Sequence, residues 1–458
     1  MAGLRVERAW TRSSLAGSVM TPTTPPAVAL FVLAGFSLAQ DNILILLADD
    51  MGVDNVGVYA EGGTPPATPT IDALAQTGVL FRNAWSNPLC SPTRATIQTG
   101  RYGFRTGIGH LVTNNSQPLA FDEVTLPEML DAGETGYAHA AFGKWHLGND
   151  DVGGPLAANL AGYGHFVGTE ENFVGAYGYY HWPKIENGFE SISAQYATSD
   201  NIDEAAAWMD VAPEPWLCYI AFNAPHNPLH WPPKYLHSVD LPDVDDPRRS
   251  PNSFFRAACE SMDAEILRLF TLMGDKYDRT NIFFIGDNGT PHDVTVPPFD
   301  PDHAKLTPYE GGINVPFIVS GPAVVQPGRE SDALISTADV YMTVAGLAGM
   351  SSLPLQNPVD SVSLVPYLDD PDQESIRSTV FSEFFFPDLD NPTIVWRMIR
   401  DNRYKLIVRG GQQAGRELYD LQDDPFERKN LMDEPMTPDQ MAAFLYLSQE
   451  LVDLLATG

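Results

Sequence analysis

The chain has 458 residues, 44% of them hydrophobic and 10% aromatic, enough to bury a large core and to exclude extensive disorder. Asp and Glu number 59 against 27 Lys and Arg, a formal net charge of -32, which leaves no basic surplus for nucleic acid. Three cysteines exclude a disulfide scaffold. The same acidity repels anions at long range, so an anionic substrate would need a local cationic pocket. A saline habitat is one source of such a composition.

The first feature in chain order is an apolar stretch from Ala27 to Ala39 that ends small-x-small before Gln40. It is short for a bilayer span and reads as the h-region of a secretory signal, which predicts a signal region over 1–39. Arg5, Arg8 and Arg12 precede it in a long n-region; Met20 is an alternative start that would leave an n-region with no basic residue. The expected location is periplasmic or extracellular, with no stable membrane span. A buried strand or helix is the competing reading of the stretch.

Four apolar runs then lead directly into chemically capable residues. Asn42–Ala48 precedes Asp49-Asp50, and Tyr137–Phe142 precedes Gly143-Lys144-Trp145-His146. Trp216–Phe222 precedes Asn223-Ala224-Pro225-His226, and Asn281–Gly286 precedes Asp287-Asn288-Gly289. Runs apolar on both faces suit buried parallel strands. Phe255, Ala258, Met262, Ile266, Leu269, Phe270 and Met273 recur at helical spacing before the last run. This alternation predicts an α/β fold, a large mixed and mostly parallel sheet sandwiched by helices, with ligands beyond the carboxyl ends of the strands. The segments Gly153–Gly188 and Pro225–Pro251 read as long loops shaping a pocket.

Between the first two runs lies Cys90-Ser91-Pro92-Thr93-Arg94, with Thr99-Gly100-Arg101 downstream. Pro92 suits the first position of a helix. Cys90 would then sit just before a helix N-terminus, where N–H groups and the macrodipole favour an anion. A buried structural cysteine is the alternative. Cys218 and Cys259 read as buried thiols, with a bridge between them possible in an exported protein. Asp49, Asp50, Asp287 and Asn288 supply hard oxygen ligands from two strand ends, a set for Ca²⁺ or Mg²⁺ and not for zinc.

After about Pro371 the pattern changes to antiparallel strands at 378–381, 393–399, 404–408 and 416–421. An amphipathic helix follows, with Met441, Phe444, Leu445, Leu447, Leu451, Leu454 and Leu455 on its apolar positions. The predicted organisation is a signal region over 1–39, a catalytic domain over 41–370 and a smaller C-terminal antiparallel sheet-plus-helix subdomain over 371–458.

Taken together, these motifs resemble the type I sulfatases, the arylsulfatase-like, formylglycine-dependent members of the alkaline phosphatase superfamily. The Cys-x-Pro-x-Arg core, Gly143-Lys144-Trp145-His146-Leu147-Gly148, Pro225-His226-Asn227-Pro228, and Lys305 before Glu310-Gly311-Gly312 stand in family order. The resemblance implies oxidation of Cys90 to Cα-formylglycine by a formylglycine-generating maturation enzyme, with the hydrated aldehyde as nucleophile. It implies Ca²⁺ (Mg²⁺ second) on Asp49, Asp50, Cys90, Asp287 and Asn288. Arg94 would hold the diol, Asp287 would activate it, and Lys144 would bind the sulfate. His146 would be the base that breaks the sulfated intermediate, while His226 or Lys305 would protonate the leaving group. The expected reaction is hydrolysis of sulfate monoesters, of sulfated carbohydrates and also of artificial aryl sulfates. Competing readings are a phosphonate or phosphodiester hydrolase of the same superfamily and a non-catalytic sulfated-glycan-binding protein. Tyr163, His165, Tyr177, Tyr179, Tyr180, His181 and Trp182 read either as a sugar-stacking surface or as loop packing. One departure is Asn314, where the family usually has arginine shortly after Glu-Gly-Gly; it puts the local ion pairing in doubt but no role in bond making.

Overall fold

The computed structural model describes residues 40–350, 352 and 357–457; the Ala27–Ala39 stretch lies outside them. The apolar run after Asp41 forms β1 (Asn42–Asp49), buried along its whole length. Ile43, Ile45 and Leu47 face one core with Ala95, Ile97 and Val344, while Leu44, Leu46 and Ala48 face another with Ile202, Met262, Ile266 and Leu269. A strand covered on both faces has no polar alternation, which is why its sequence is continuous hydrocarbon.

The remaining strands of the large sheet are β2 (Gly78–Trp85), β3 (Ala138–Lys144), β4 (His165–Thr169), β5 (Trp182–Glu186), β6 (Phe189–Ser193), β7 (Trp216–Pro225), β8 (Thr280–Gly286), β9 (Phe317–Ser320) and β10 (Arg329–Ser336). Their order across the sheet is β10-β2-β9-β8-β1-β7-β3-β4-β5-β6. The central strands β8, β1, β7, β3 and β4 run parallel, and β9, β5 and β6 run antiparallel to their neighbours. Helices Ala197–Val211 and Pro251–Met273 bury residues in the core of one face, and Cys90–Thr99 and Asp339–Leu347 in that of the other. The expected sandwich is therefore present.

Register aligns the strand ends. Ala48 of β1 pairs with Gly286 of β8, so Asp49 and Asp287 leave the sheet side by side. Across β7, Asp49 pairs with Pro225, and Gly143 of β3 pairs with Ala221. A register shift between Leu47 and Asp49 marks a bulge in β7 just before His226.

The Gly153–Gly188 segment departs from expectation: it holds β4 and β5 rather than being one long loop. Both are five-residue strands near the sheet edge, and β5 buries only Trp182 and Ile185. Such short, half-covered strands carry no apolar run to read. Pro225–Pro251 is a loop broken only by short 3₁₀ turns.

The predicted C-terminal strands are β11 (Val380–Phe386), β12 (Ile394–Arg400), β13 (Tyr404–Gly411) and β14 (Gly415–Asp420), antiparallel in that order. One face packs Phe381, Ile399, Leu406 and Leu418 on Leu447 and Leu451 of the helix Pro438–Leu455. The other packs Val380, Met398 and Ile407 on Trp85, Ile313 and Leu334. Met441 and Leu445 are 42% and 59% exposed, so the apolar stripe of that helix is narrower than its sequence suggests. Cys218 and Cys259 are free, buried thiols in the same core and are not bridged. No described helix is long and apolar enough to cross a membrane.

The pairing left open by Asn314 is supplied by the C-terminal sheet. Lys405 on β13 is fully buried, its Nζ 3.0 Å from Glu310 Oε1 and 2.8 Å from Glu427 Oε1. Trp85 Nε1 also donates to Glu310 at 3.1 Å, and Arg400 lies 3.4 Å away. Asn314 instead donates to the Arg82 carbonyl. Lys405→Met would leave Glu310 and Glu427 buried without their shared cation. We expect it to cost about 3–5 kcal/mol, read as a lowered denaturant midpoint at unchanged slope; a shift below about 1 kcal/mol would contradict a stabilising ion cluster.

Candidate active site

Helix Cys90–Thr99 begins at Cys90 itself, with Leu89 extended before it, so Pro92 stands third rather than first in the helix. Both residues still lie in the first turn, where backbone N–H groups lack intrahelical partners. Four residues on, Arg94 projects beyond the same end of the sheet. Its Nη2 donates to Asp287 Oδ2 at 2.8 Å and its Nη1 to the Lys144 carbonyl at 2.6 Å.

Asp49 ends β1 and Asp50 follows with φ +74°, a left-handed turn that aims two successive carboxylates at one point. Asp50 N–H donates to Asp287 Oδ1 at 3.0 Å, and Asn288 Nδ2 donates to Asp50 Oδ1 at 2.8 Å. Lys144 Nζ lies 2.5 Å from Asp49 Oδ2, and Lys305 Nζ is paired with Asp50 Oδ1. Cys90 Sγ is 3.6 Å from Asp49 Oδ1 and 3.7 Å from Lys305 Nζ. His226 Nε2 is 3.6 Å from Asp50 Oδ2. His146, also left-handed at φ +58°, is buried with its Nδ1 unpartnered. All ten residues singled out in the sequence thus converge beyond the carboxyl ends of β1, β3, β7 and β8.

Electrostatics follow from burial. Asp49, Asp50 and Asp287 are balanced by Arg94, Lys144 and Lys305, five of the six being almost wholly inaccessible and Lys305 10% exposed. Burial opposes ionisation of Asp49, but Lys144, His226, Arg94 and Lys305 outweigh it and hold the carboxyl well below its usual range. For Asp287, burial and the Asp49 charge outweigh Arg94 and raise it. Burial would lower Lys305, yet Asp50, Cys90 and Asp49 keep it protonated. His146 is driven well down by burial, then by Lys144 and Arg94, and is neutral. His226 is lowered by burial despite Asp50 and Asp49. The Cys90 thiol is pushed up to about 12 by burial, against the pull of Lys144 and Lys305.

Donor chemistry fits a hard divalent cation. One ligand atom each from Asp49, Asp50, Cys90 and His226 lies within 4.8 Å of the others. Asn288 Oδ1 is buried with no hydrogen-bond partner, an orphaned acceptor that a cation would satisfy.

One positioning role escaped the sequence, in which Tyr179 read only as sugar stacking or loop packing. Tyr179 Oη donates to the carbonyls of Asn223 and His226 at 2.6 and 2.8 Å, tying down the loop that carries His226. No local signal marks a contact 44 residues away. Tyr163, Tyr179 and Trp182 are each 1% exposed and serve packing, whereas Tyr177 and Tyr180 are 39% and 43% exposed.

The family model for sulfatases matches residues 41–350, more than half of the chain. The chain belongs to the sulfatase family. A second model, the C-terminal region of N-sulphoglucosamine sulphohydrolase, matches residues 303–455. N-acetylgalactosamine-6-sulfatase of Homo sapiens is 30% identical over 363 residues, 71% of this chain and 65% of that protein. This chain thus spans less than two thirds of that relative's length. An ulvan-active sulfatase of Formosa agariphila is 26% identical, covering 86% of this chain and 76% of its own. The fold matches the crystal structure of Ps i-CgsB in complex with k-i-k-neocarrahexaose at a TM-score of 0.75 and 24% identity, covering 91% and 93% of the two chains.

A thiol pushed up to about 12 is not a thiolate at neutral pH, and burial also raises Cys218 and Cys259 well above the usual thiol range. In unmatured protein none of the three should react with iodoacetamide at pH 8 while folded, and all should react in guanidinium. Rapid native labelling of Cys90, located by peptide mass spectrometry, would contradict this electrostatic picture.

Proposed function

We propose that the protein hydrolyses sulfate monoesters, with sulfated carbohydrates as the substrate class, and that residues 41–370 form the catalytic domain and 371–458 a C-terminal subdomain. The supporting observation is a fully buried cysteine at a helix N-terminus, ringed by Arg94, Lys144 and Lys305 and flanked by an oxygen-donor set. Sulfated-glycan substrates are favoured by similarity to an ulvan-active sulfatase and to a protein crystallised with a neocarrahexaose. Export from the cell and maturation of Cys90 by a formylglycine-generating enzyme belong to the same reading.

Asp49, Asp50, Asp287 and Asn288 would hold a divalent cation, Ca²⁺ before Mg²⁺. A hydrated formylglycine at position 90 would supply the attacking hydroxyl, and the cation would supply charge to the sulfuryl oxygens. Arg94, fixed between Asp287 and the Lys144 carbonyl, orients position 90. Asp287, its acidity weakened by burial and by Asp49, is suited to take a proton there. Lys144 and Lys305 bring positive charge to where negative charge develops on the sulfuryl group. Lys305, held protonated by Asp50, can give its proton to the leaving oxygen. Neutral His146 can accept one when sulfate departs. His226, also on the neutral side, binds rather than protonates.

Matured protein should release sulfate from 4-nitrophenyl sulfate and from sulfated oligosaccharides, with little turnover of 4-nitrophenyl phosphate. Lys144→Ala should lower kcat by about 10²–10³-fold. Sustained turnover by Cys90→Ala would overturn the role of position 90, and a preference for the phosphate ester would move the protein to phosphoryl transfer.

Asp287→Asn should lose divalent metal, measured by elemental analysis, together with turnover. Full activity of exhaustively chelated, metal-free protein would sink the metal assignment.

A further inference from the structure

Access to the candidate site is confined to one side. Asp49, Arg94 and Lys144 side chains are inaccessible, whereas His226 is 16% and Lys305 10% exposed. A substrate must therefore enter over His226 and Lys305. A cavity of about 490 Å³ is lined in part by Pro225 and Asn227, the two sequence neighbours of His226. Its lining also includes Pro291, and Lys305 N–H donates to the carbonyl of Thr290, the preceding residue, at 2.9 Å. Both entrance residues are thus tied to the cavity lining. The volume falls within the roughly 300–1,000 Å³ of small-ligand sites.

Proline rings and Phe255 give the cavity an apolar surface, which suits the C–H faces of a sugar ring, and Asp246 and Asp293 add hydroxyl acceptors. Arg248 is the lining's cation, but its Nε and Nη2 are committed to both oxygens of Asp246 at 2.7–3.0 Å. Its neighbour Arg249 is paired with Asp245 at 2.8 Å. In the lining the carboxylates Asp246 and Asp293 outnumber the one cation, Arg248. A second anionic group on the substrate would meet carboxylates at short range, inside the distance that salt screens.

Resting on the sulfate-ester reading above, we propose that this cavity is the leaving-group subsite and that it takes the uncharged remainder of a singly sulfated sugar, discriminating against a second sulfate or a carboxylate. The test compares kcat/KM of the matured enzyme on galactose and N-acetylgalactosamine carrying one sulfate, at each position in turn, with the disulfated forms of the same sugars. 4-Methylumbelliferyl sulfate, an activated ester whose cleavage depends least on leaving-group binding, is the control, and released sulfate is measured by ion chromatography. We expect the best monosulfated sugar to lead its disulfated form by about tenfold or more. The Asp246→Asn/Asp293→Asn double variant, which frees Arg248 and removes two rim charges, should narrow that ratio to about threefold or less. Asp293 is 84% exposed at its side chain, so Asp293→Trp should fold, crowd the cavity and raise KM for the sugar about tenfold, several-fold more than for the aryl ester. Equal turnover of mono- and disulfated sugars by the wild type, or equal losses on sugar and aryl ester in Asp293→Trp, would overturn the subsite. If neither sugar nor aryl sulfate is hydrolysed by matured wild-type enzyme, the sulfatase reading itself falls and the subsite with it.

Discussion

Balance of buried charge is the constraint on which the rest of the structure depends. Three carboxylates, Asp49, Asp50 and Asp287, and three cations, Arg94, Lys144 and Lys305, meet where almost no water reaches them. An unpaired ion there would cost several kcal/mol, so each group is held by the others. The result is an array whose members cannot relax individually, the condition for fixed charges to act on a reacting group. This array is neutral by itself. A divalent cation would tip it positive, matching an anionic ester despite the acidity of the whole chain.

Sheet geometry makes the array possible. The parallel strands β1, β3, β7 and β8 end level with one another, and the helix that opens at Cys90 presents its N-terminus at that edge. Register decides which residues meet. A one-residue slip of β8 against β1 would send the Asp287 side chain to the other face. The sharp left-handed turns at Asp50 and His146 then point their side chains inward rather than along the strands. The C-terminal sheet contributes at a distance. Lys405 and Arg400 neutralise Glu310, which lies five residues beyond Lys305, while Trp85 donates to the same carboxylate five residues before Cys90. One ion cluster thus braces the two segments that carry Cys90 and Lys305.

A deep, charge-balanced centre and a shallower cavity with an acidic rim perform different tasks. Most residues of the first lie at or just beyond strand ends or in the first turns of a helix, with Lys305 on a turn. The lining of the second comes mainly from the Pro225–Pro251 loop and the turns after Asn288. Chemistry on the scaffold and selectivity on loops is the expected division in α/β enzymes.

The central strands, the Cys90 helix, the C-terminal sheet and all ten candidate site residues were legible in the sequence. Long apolar runs mark strands buried on both faces, and polar residues immediately after such runs mark their carboxyl ends. Strands β4 and β5 were not legible, because five residues are too few for a readable apolar run. The true start of the Cys90 helix two residues before Pro92 was also missed, since proline is equally tolerated anywhere in a first turn. Only tertiary structure decided that Lys405 and Arg400 pair with Glu310, that Tyr179 anchors the His226 loop, and that Tyr163 and Trp182 are core residues. These facts depend on contacts between residues tens to a hundred positions apart, and local pattern carries no information about which distant partner fills a buried site.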